Sequence, residues 1–535
     1  MILLAGFYLR ASSLAFGLPA LNDQDELVFQ MGALRLLTTP TLNPKWFGHP
    51  GTTTIYGLVL VDVVTFLFGL IAGWWSNAKG FSDAIFANPA YVILPGRALI
   101  LAFGLATIAL TYRLGERLFS PTVGLLAALI LAVSPLHVAF SQIIRTDMMA
   151  TAFLLLALLQ AARIARGEGG IGAYLKGGAW VGVAMATKWP FGIALLGLSG
   201  AAILRLRIEQ AGLTELARRQ ILMAACAGCT LIAISPFLVL DWPTLAANLL
   251  IESRPFHLGA TGGSFWWNLK WYLGNPLPNA LGLGGLIVAS GGLVLLARSH
   301  EARYVLLPVI LVFVAILGSQ NLIWSRWVLP LLPLLVIGLA LVLERGGILL
   351  ARVFNRPQAG FALGLLGALA LATPLVLTAL SEGRERLNDT RQQASRWLVA
   401  NAAPGSTVLL EHFGFDLMQA PFSYRWPLGD AGCIDPIQLL RNKVSLRQIE
   451  ALRSSRSNVD YGTVASAKLA TCRADYAIIT QYDRYAAERE RFPREYAQYA
   501  RLVESAETLA VFRPEPGVAG GWVVRVLKLP PVPRP

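Results

Sequence analysis

Apolar runs of roughly 17 to 25 residues, the length a helix needs to cross a bilayer, recur through the first 380 positions of this 535-residue chain. They lie near 1–21, 93–112, 121–141, 147–163, 174–187, 189–204, 220–240, 277–297, 304–320, 327–344 and 360–380. Backbone immersed in hydrocarbon must satisfy its own hydrogen bonds, so such runs are helices. Composition agrees: 55% of the residues are hydrophobic and 14% charged, against about 25% charged in soluble proteins. The expected fold is a polytopic α-helical membrane protein with about 11 transmembrane helices plus juxtamembrane helices. The run 1–21 lacks a basic leader and a small-residue cleavage site before Asn22, so it reads as a retained span, not a signal peptide.

The basic residues set an orientation. A net charge of +14 can signal nucleic acid, but in a membrane protein Lys and Arg collect in cytoplasmic loops. Arg113 and Arg117 share one short loop; Arg163, Arg166 and Lys176 share the next. Arg205, Arg207, Arg218 and Arg219 follow, then Arg298 and Arg303, then Arg345, Arg352 and Arg356. All face the cytoplasm, with the N-terminus, provided that 51–75 does not cross. Asp62 in its middle, four glycines and the terminal Trp74–Trp75 pair suit a re-entrant or interfacial hairpin. A plain span is the alternative, and would put Asp25 and Asp147 on opposite faces. With the hairpin, 22–92, 142–146, Lys188, 241–276, 321–326 and everything after 380 share the outer side.

The division expected is a membrane domain over 1–381, with 22–92 as its first outer loop, and a soluble α/β domain over 382–535. In the tail, Gln393, Ala394, Trp397 and Leu398 are spaced for one helix face, and Thr407–Glu411 reads as a strand. "ADYAIITQY", "TLAVFRP" and "WVVRVLKL" read as further strands, "DRYAAERERFPREYAQYARL" as a helix broken near Pro493, and the end as a Pro-rich stub. Cys433 and Cys472 could pair if the tail lies outside. Cys226 and Cys229 fall in an apolar run and read as packing residues.

Several charged groups interrupt this pattern. "NDQDELVFQ", residues 22–30, opens an amphipathic juxtamembrane helix with Leu27, Met31, Leu34 and Leu37 on one face. Asp23 can cap it, with Glu26 as the reciprocal capping partner; Asp25 is left without a structural reason. Arg145 and Asp147 interrupt apolar sequence and either pair, cap the next helix or face a polar cavity. Lys188 and Arg326 are either interfacial side chains or phosphate ligands. Glu252, Arg254 and His257 share an aromatic loop, and His49 lies in "WFGHPG". A lone Glu and His do not make a metal site. No Walker loop, GxSxG or HExxH is present, and the one C-x-x-C, Cys226–Cys229, lies within an apolar run.

In order and spacing these residues resemble lipid-phosphate-sugar-dependent glycosyltransferases of the GT-C fold, which include the protein O-mannosyltransferases and the bacterial aminoarabinose transferases of lipid A. The likeness rests on Asp25–Glu26 after the first span, "LNPKWFGHPG" in place of the family's His-Pro-Pro stretch, Arg145–Thr146–Asp147, Thr187–Lys188 and Arg326 before a Pro-rich span. His-Pro-Gly departs from the commoner pattern, and the N-terminus is short. The resemblance implies a polyprenyl-phosphate-sugar donor, an outer-side protein, lipid or polysaccharide acceptor, no metal, and a bacterial-type cytoplasmic (inner) membrane. Asp25 would be the general base, its pKa raised by partial desolvation. Asp147 would orient Arg145 or the acceptor; Lys188 and Arg326 would stabilise the leaving phosphate. Glu26, His49, Arg145, Glu252 and His257 would line the substrate site. A lipid-sugar flippase or transporter and a non-catalytic scaffold are the competing classes.

Overall fold

The protein is described here by a computed structural model covering residues 1–411, 414–417, 419–441, 448 and 459–530. The Pro-rich stub mostly lies outside the described residues. The membrane part opens with α1 (Ile2–Ala11), α2 (Asp25–Thr38), α3 (Thr52–Ile71), α4 (Ala78–Ala87), α5 (Ala90–Leu118), α6 (Pro121–Val133) and α7 (Pro135–Phe140). It continues with α8 (Thr146–Ala165), α9 (Gly170–Thr187), α10 (Ala194–Glu209) and α11 (Leu213–Ile234). Long helices Pro276–Arg298, Leu307–Ser319, Leu332–Val353 and Gly360–Leu387 complete it. Among the described residues nine helical segments are long and apolar enough to cross a bilayer; α1 and α6 are shorter apolar helices.

Two expected spans are shorter than their apolar runs. The run 1–21 is α-helical only to Ala11; successive turns carry the chain on, with Gly17 at a left-handed φ of 65°. Buried Arg10 fastens α1 instead, donating to the Gly6 and Ala132 carbonyls at 2.8 Å and to Ser141 at 3.2 Å. The run 121–141 breaks at Ser134–Pro135. The expected turn at Lys188 is present: α9 stops at Thr187 and a 3-10 turn, Trp189–Ile193, leads into α10. Glycines let α9 press on α11. A Cβ at Gly178 or Gly182 would stand 2.5 or 2.4 Å from a carbonyl oxygen of α11, the close backbone approach that membrane helices use.

The basic loops converge on one end of the bundle. Arg117 pairs with Glu168, Arg166 with Glu301, and Arg219 with Glu209 and Glu215. A cavity of about 370 Å³ there is lined by Arg113, Arg117, Arg163 and Arg166. Carboxylates already pair three of these four arginines.

The segment 51–75 is not a hairpin: α3 is one unbroken helix. Even so, both its ends stay at the end of the bundle opposite the arginines. Gly51 donates to the Thr187 carbonyl at 3.1 Å. Gly57 then faces Leu99 and Met149, Leu58 faces Gly96, and Trp74 and Trp75 close on Tyr91 at the start of α5. From Leu99 back to Tyr91 is roughly 12 Å of helix axis, while α3 is about 30 Å long, so α3 lies across α5. Its outward Leu60, Val64, Phe68 and Ile71 are exposed, as on a helix resting on a bilayer.

The last membrane helix runs without a break past residue 381 to Leu387, and the helix Thr390–Asn401 follows, its Asp389 cap accepting from Arg391 N. The tail folds on a six-stranded sheet ordered β3-β2-β1-β4-β6-β5: β1 (Thr407–Leu410), β2 (Ser423–Pro427), β3 (Cys433–Ile434), β4 (Tyr476–Ile479), β5 (Glu507–Phe512) and β6 (Val524–Lys528). β1 is parallel to β2 and β4, and the other pairings are antiparallel. Cys433 and Cys472 form a disulfide.

In a chain carrying Cys226→Ser and Cys229→Ser, a cysteine replacing exposed Lys79 is expected to react with a membrane-impermeant maleimide from the side that holds the tail. Labelling only from the side of Arg113 would mean that α3 crosses.

Candidate functional site

The site is built on an ion pair with no exposure to solvent. Arg97 donates to both Glu26 oxygens, at 2.8 and 2.7 Å, and to the carbonyls of Leu14 and Phe16 at 2.7 and 2.9 Å. The guanidinium stacks on the Phe16 ring, 4.0 Å from its centre. Glu26 also accepts from Ile144 N at 3.0 Å. This corrects two expectations. Glu26 is neither a capping partner, since α2 has Gln24 at its N-cap without a side-chain bond, nor a substrate ligand, since all its acceptor capacity faces protein. It clamps α2 to α5 and to the loop that ends in Arg145.

Arg145 is the next layer. One terminal nitrogen lies 3.0 and 3.1 Å from the Asp23 oxygens and the other 2.5 Å from Asp25. Asp23 also accepts from Asp25 N at 3.0 Å, so it is an arginine ligand and a turn former, not a helix cap. Of the two aspartates on this fork, Asp25 is the open one: its side chain is 48% exposed, against 19% for Asp23. Burial acts to raise the Asp25 carboxyl, but the charges of Arg145 and Arg326, with the bond from Arg145, outweigh it and hold it below the ordinary carboxylate range. The expectation of a raised pKa is therefore corrected.

Asp147, in the first turn of α8, does not orient Arg145 through a bond. Its carboxylate takes Lys188 Nζ at 2.7 Å, and both side chains are buried. Lys188 is thus a neutralised cation rather than a bare one. The His49–Pro50–Gly51 stretch docks on this pair: Pro50 bridges Lys188, Trp189 N donates to the His49 carbonyl at 2.7 Å, and Thr53 and Thr187 share a hydroxyl bond of 2.6 Å. His49 stacks edge-on to Trp46, with Thr146 Oγ1 3.4 Å from its Nδ1. Burial, then Lys188 and Arg326, push its pKa well down, so the ring is neutral.

Arg326 differs from the other cations. It is 8% exposed and its guanidinium sits over Trp324, 4.3 Å from the ring centre. Among the described residues it forms no ion pair, and its buried Nε has no partner. Burial pushes its pKa down to about 10, so it stays charged near neutrality. His257 packs edge-on to the same Trp324, and its Nδ1 donates to the Leu258 carbonyl at 2.9 Å; burial, then Arg254, push it down to about 4. Glu252 is exposed beside Gly48, where a Cβ would stand 3.0 Å from its Oε1. No group of three or more His, Cys, Asp or Glu capable of holding a metal occurs among the described residues.

The structure therefore gathers Asp25, His49, Arg145, Asp147, Lys188, His257 and Arg326 at one end of the bundle and removes Glu26 from the solvent-facing part. Sequence reasoning missed Arg97, although an arginine inside an apolar run is itself a signal of a buried partner. It also missed Trp324, which nothing short of the fold distinguishes from an interfacial tryptophan.

The sequence pattern of the dolichyl-phosphate-mannose-protein mannosyltransferase family matches residues 81–240. That stretch holds Arg145, Asp147 and Lys188 but neither Asp25 nor Arg326. No curated protein sequence matches. Among solved structures the chain is similar to ArnT from Cupriavidus metallidurans bound to undecaprenyl phosphate, at 15% identity and TM-score 0.53 over 97% of each chain. It is similar to the apo state of the same protein at 15% identity and TM-score 0.50, over 81% of this chain and 83% of that one. The fold is that of ArnT. This is the GT-C fold expected from the sequence, with a small sheet domain at its C-terminus.

Replacing Glu26 by Ala leaves Arg97 charged and buried without its partner, so the variant is expected to lose roughly 3–5 kcal/mol, read as a lowered unfolding midpoint of the detergent-solubilised protein. An unchanged midpoint would show that the pair does not hold the first loop.

Proposed function

We propose that the protein is a membrane glycosyltransferase. It moves a sugar from a polyprenyl-phosphate-linked donor to an acceptor hydroxyl or amine on the outer side of a bacterial-type cytoplasmic membrane. The observation that carries this reading is the presence, at one end of the bundle, of an open carboxylate, Asp25, held by Arg145, and a buried guanidinium, Arg326, that has no carboxylate of its own among the described residues. A proton acceptor and an uncommitted cation are what a displacement at a glycosyl phosphate needs. The likeness in fold to ArnT supports the lipid-phosphate donor. The disulfide supports an oxidising, outer location for the tail.

In this reading the acceptor attacks the anomeric carbon on the face opposite the phosphate. The bond from that carbon to the phosphate oxygen breaks, and its electron pair leaves with the polyprenyl phosphate. Asp25 takes the acceptor's proton as the new bond forms. Arg326 faces the charge growing on the phosphate, and low local dielectric strengthens that attraction. Arg145 keeps Asp25 ionised and aimed. Asp147 fixes Lys188, which adds positive potential and holds the His49 loop in place. His49, Glu252 and His257 line the entry as neutral or exposed polar groups.

Asp25→Asn is expected to lower sugar transfer by about 10²–10⁴-fold, measured with labelled polyprenyl-phosphate sugar and purified protein. Full transfer by that variant would end the assignment of the base. The pH profile carries a second test. Because the Asp25 carboxyl lies below its ordinary value, the base form persists as pH falls, and the acid limb belongs below about 3.9. Arg145→Gln removes the main neighbouring cation and moves that limb upward. A parent limb near pH 6 would contradict the arrangement.

A further inference from the structure

The tail reaches the reaction end of the bundle by two arms. In the first, the side-chain amides of Asn22 and Gln392 bond reciprocally at 2.9 Å each way, and Arg391 donates to the Asn22 carbonyl at 2.9 Å. Asn22 immediately precedes the Asp23–Asp25 turn. In the second, Arg484 donates to the Leu258 carbonyl at 2.9 Å, and Glu488 accepts from Gly259 N at 2.6 Å. Leu258 is buried among Tyr485, Tyr499 and other tail residues. The chain that follows pairs with the strand entering Arg326: Ile323 N donates to the Ala260 carbonyl at 2.9 Å, and Gly262 N to that of Asn321 at 2.7 Å.

One side chain joins the arms. Both guanidiniums pack over the Trp522 ring, Arg391 at 5.1 Å and Arg484 at 4.8 Å from its centre. Its carbonyl accepts from Thr390 at 2.6 Å, and Asp389 holds Arg391 bidentately at 2.9 and 2.7 Å. The two guanidiniums thereby share one aromatic ring, and each fixes the backbone that leads to one half of the site.

We propose that Trp522, with Arg391 and Arg484, is a brace by which the tail sets the spacing between Asp25 and Arg326. All three are positioning residues; none touches the reacting atoms. The proposal rests on the reading of Asp25 and Arg326 given above, but its structural part can be tested without it. Trp522 is only half-buried, so the tail has its own core to keep it folded when the ring is changed.

The test is hydrogen exchange on the full-length protein in detergent, combined with transfer kinetics. In Trp522→Leu, amides of 22–26 and 258–262 are expected to exchange roughly tenfold faster, as loss of a cation–π clamp implies. Amides of α8 and β4 should keep parent rates. Turnover should fall with donor KM little changed, and Trp522→Phe, which keeps an aromatic face, should recover most of both. Arg484→Met should free 258–262 alone. Parent exchange at both segments in Trp522→Leu, or a Phe variant as impaired as Leu, overturns the brace whatever Asp25→Asn does. Retained transfer by Asp25→Asn instead overturns the reaction assignment and leaves the exchange result standing.

Discussion

The Glu26–Arg97 pair fixes the end of the bundle opposite the clustered arginines. Two charges without solvent contact are costly to bury, and the cost is recovered only if every polar atom is met. Here Arg97 meets both carboxylate oxygens and two carbonyls, and Glu26 also receives Ile144 N. One ion pair thus ties the first turn of α2, the Leu14–Phe16 connection that follows α1 and the start of the Arg145 turn to α5. With Glu26 held inward, its neighbour Asp25 is turned outward by helix geometry. The carboxylate proposed for the chemistry is displayed by one that has none.

Charge balance then separates the cations. Asp23 and Asp25 share Arg145, and Asp147 takes Lys188. Arg326 is left over, stacked on Trp324 and buried. A site with every cation paired would hold an arriving phosphate weakly. One with an uncommitted guanidinium keeps an unmet demand for an anion at a defined place. The neutral rings of His49 and His257 add polar surface to this region without adding charge.

Much of this was legible in the sequence, for identifiable reasons. The helical membrane architecture, the basic loops and the gathering of Asp25, Asp147, Lys188 and Arg326 at one end follow from hydropathy and charge, which act locally along the chain; the lengths of the first and third runs do not, because breaks at Ser12 and Ser134–Pro135 cut them short. Pairing does not. Asp23 and Glu26 fit a capping box by spacing, yet Glu26 answers to Arg97, 71 residues away, and Asp23 to Arg145, 122 residues away. A hairpin at 51–75 would reconcile Asp62 with an apolar run. The fold solves this differently, laying one helix across α5 and giving Asp62 a hydrogen bond of 2.7 Å from Gln30. The contact of Gln392 with Asn22 spans 370 residues, and no periodicity announces it.

The proposed division of labour gives Arg326 the lipid phosphate and Asp25 the acceptor's proton. The most direct measurement is the affinity of the purified protein for polyprenyl phosphate, by titration calorimetry in detergent, for the parent, Arg326→Ala and Asp25→Asn. Arg326→Ala is expected to bind at least about tenfold more weakly, a loss of roughly 1.4 kcal/mol or more, while Asp25→Asn, having shed a negative charge, is expected to bind as tightly as the parent or tighter. Parent affinity in Arg326→Ala together with lost binding in Asp25→Asn would contradict that division.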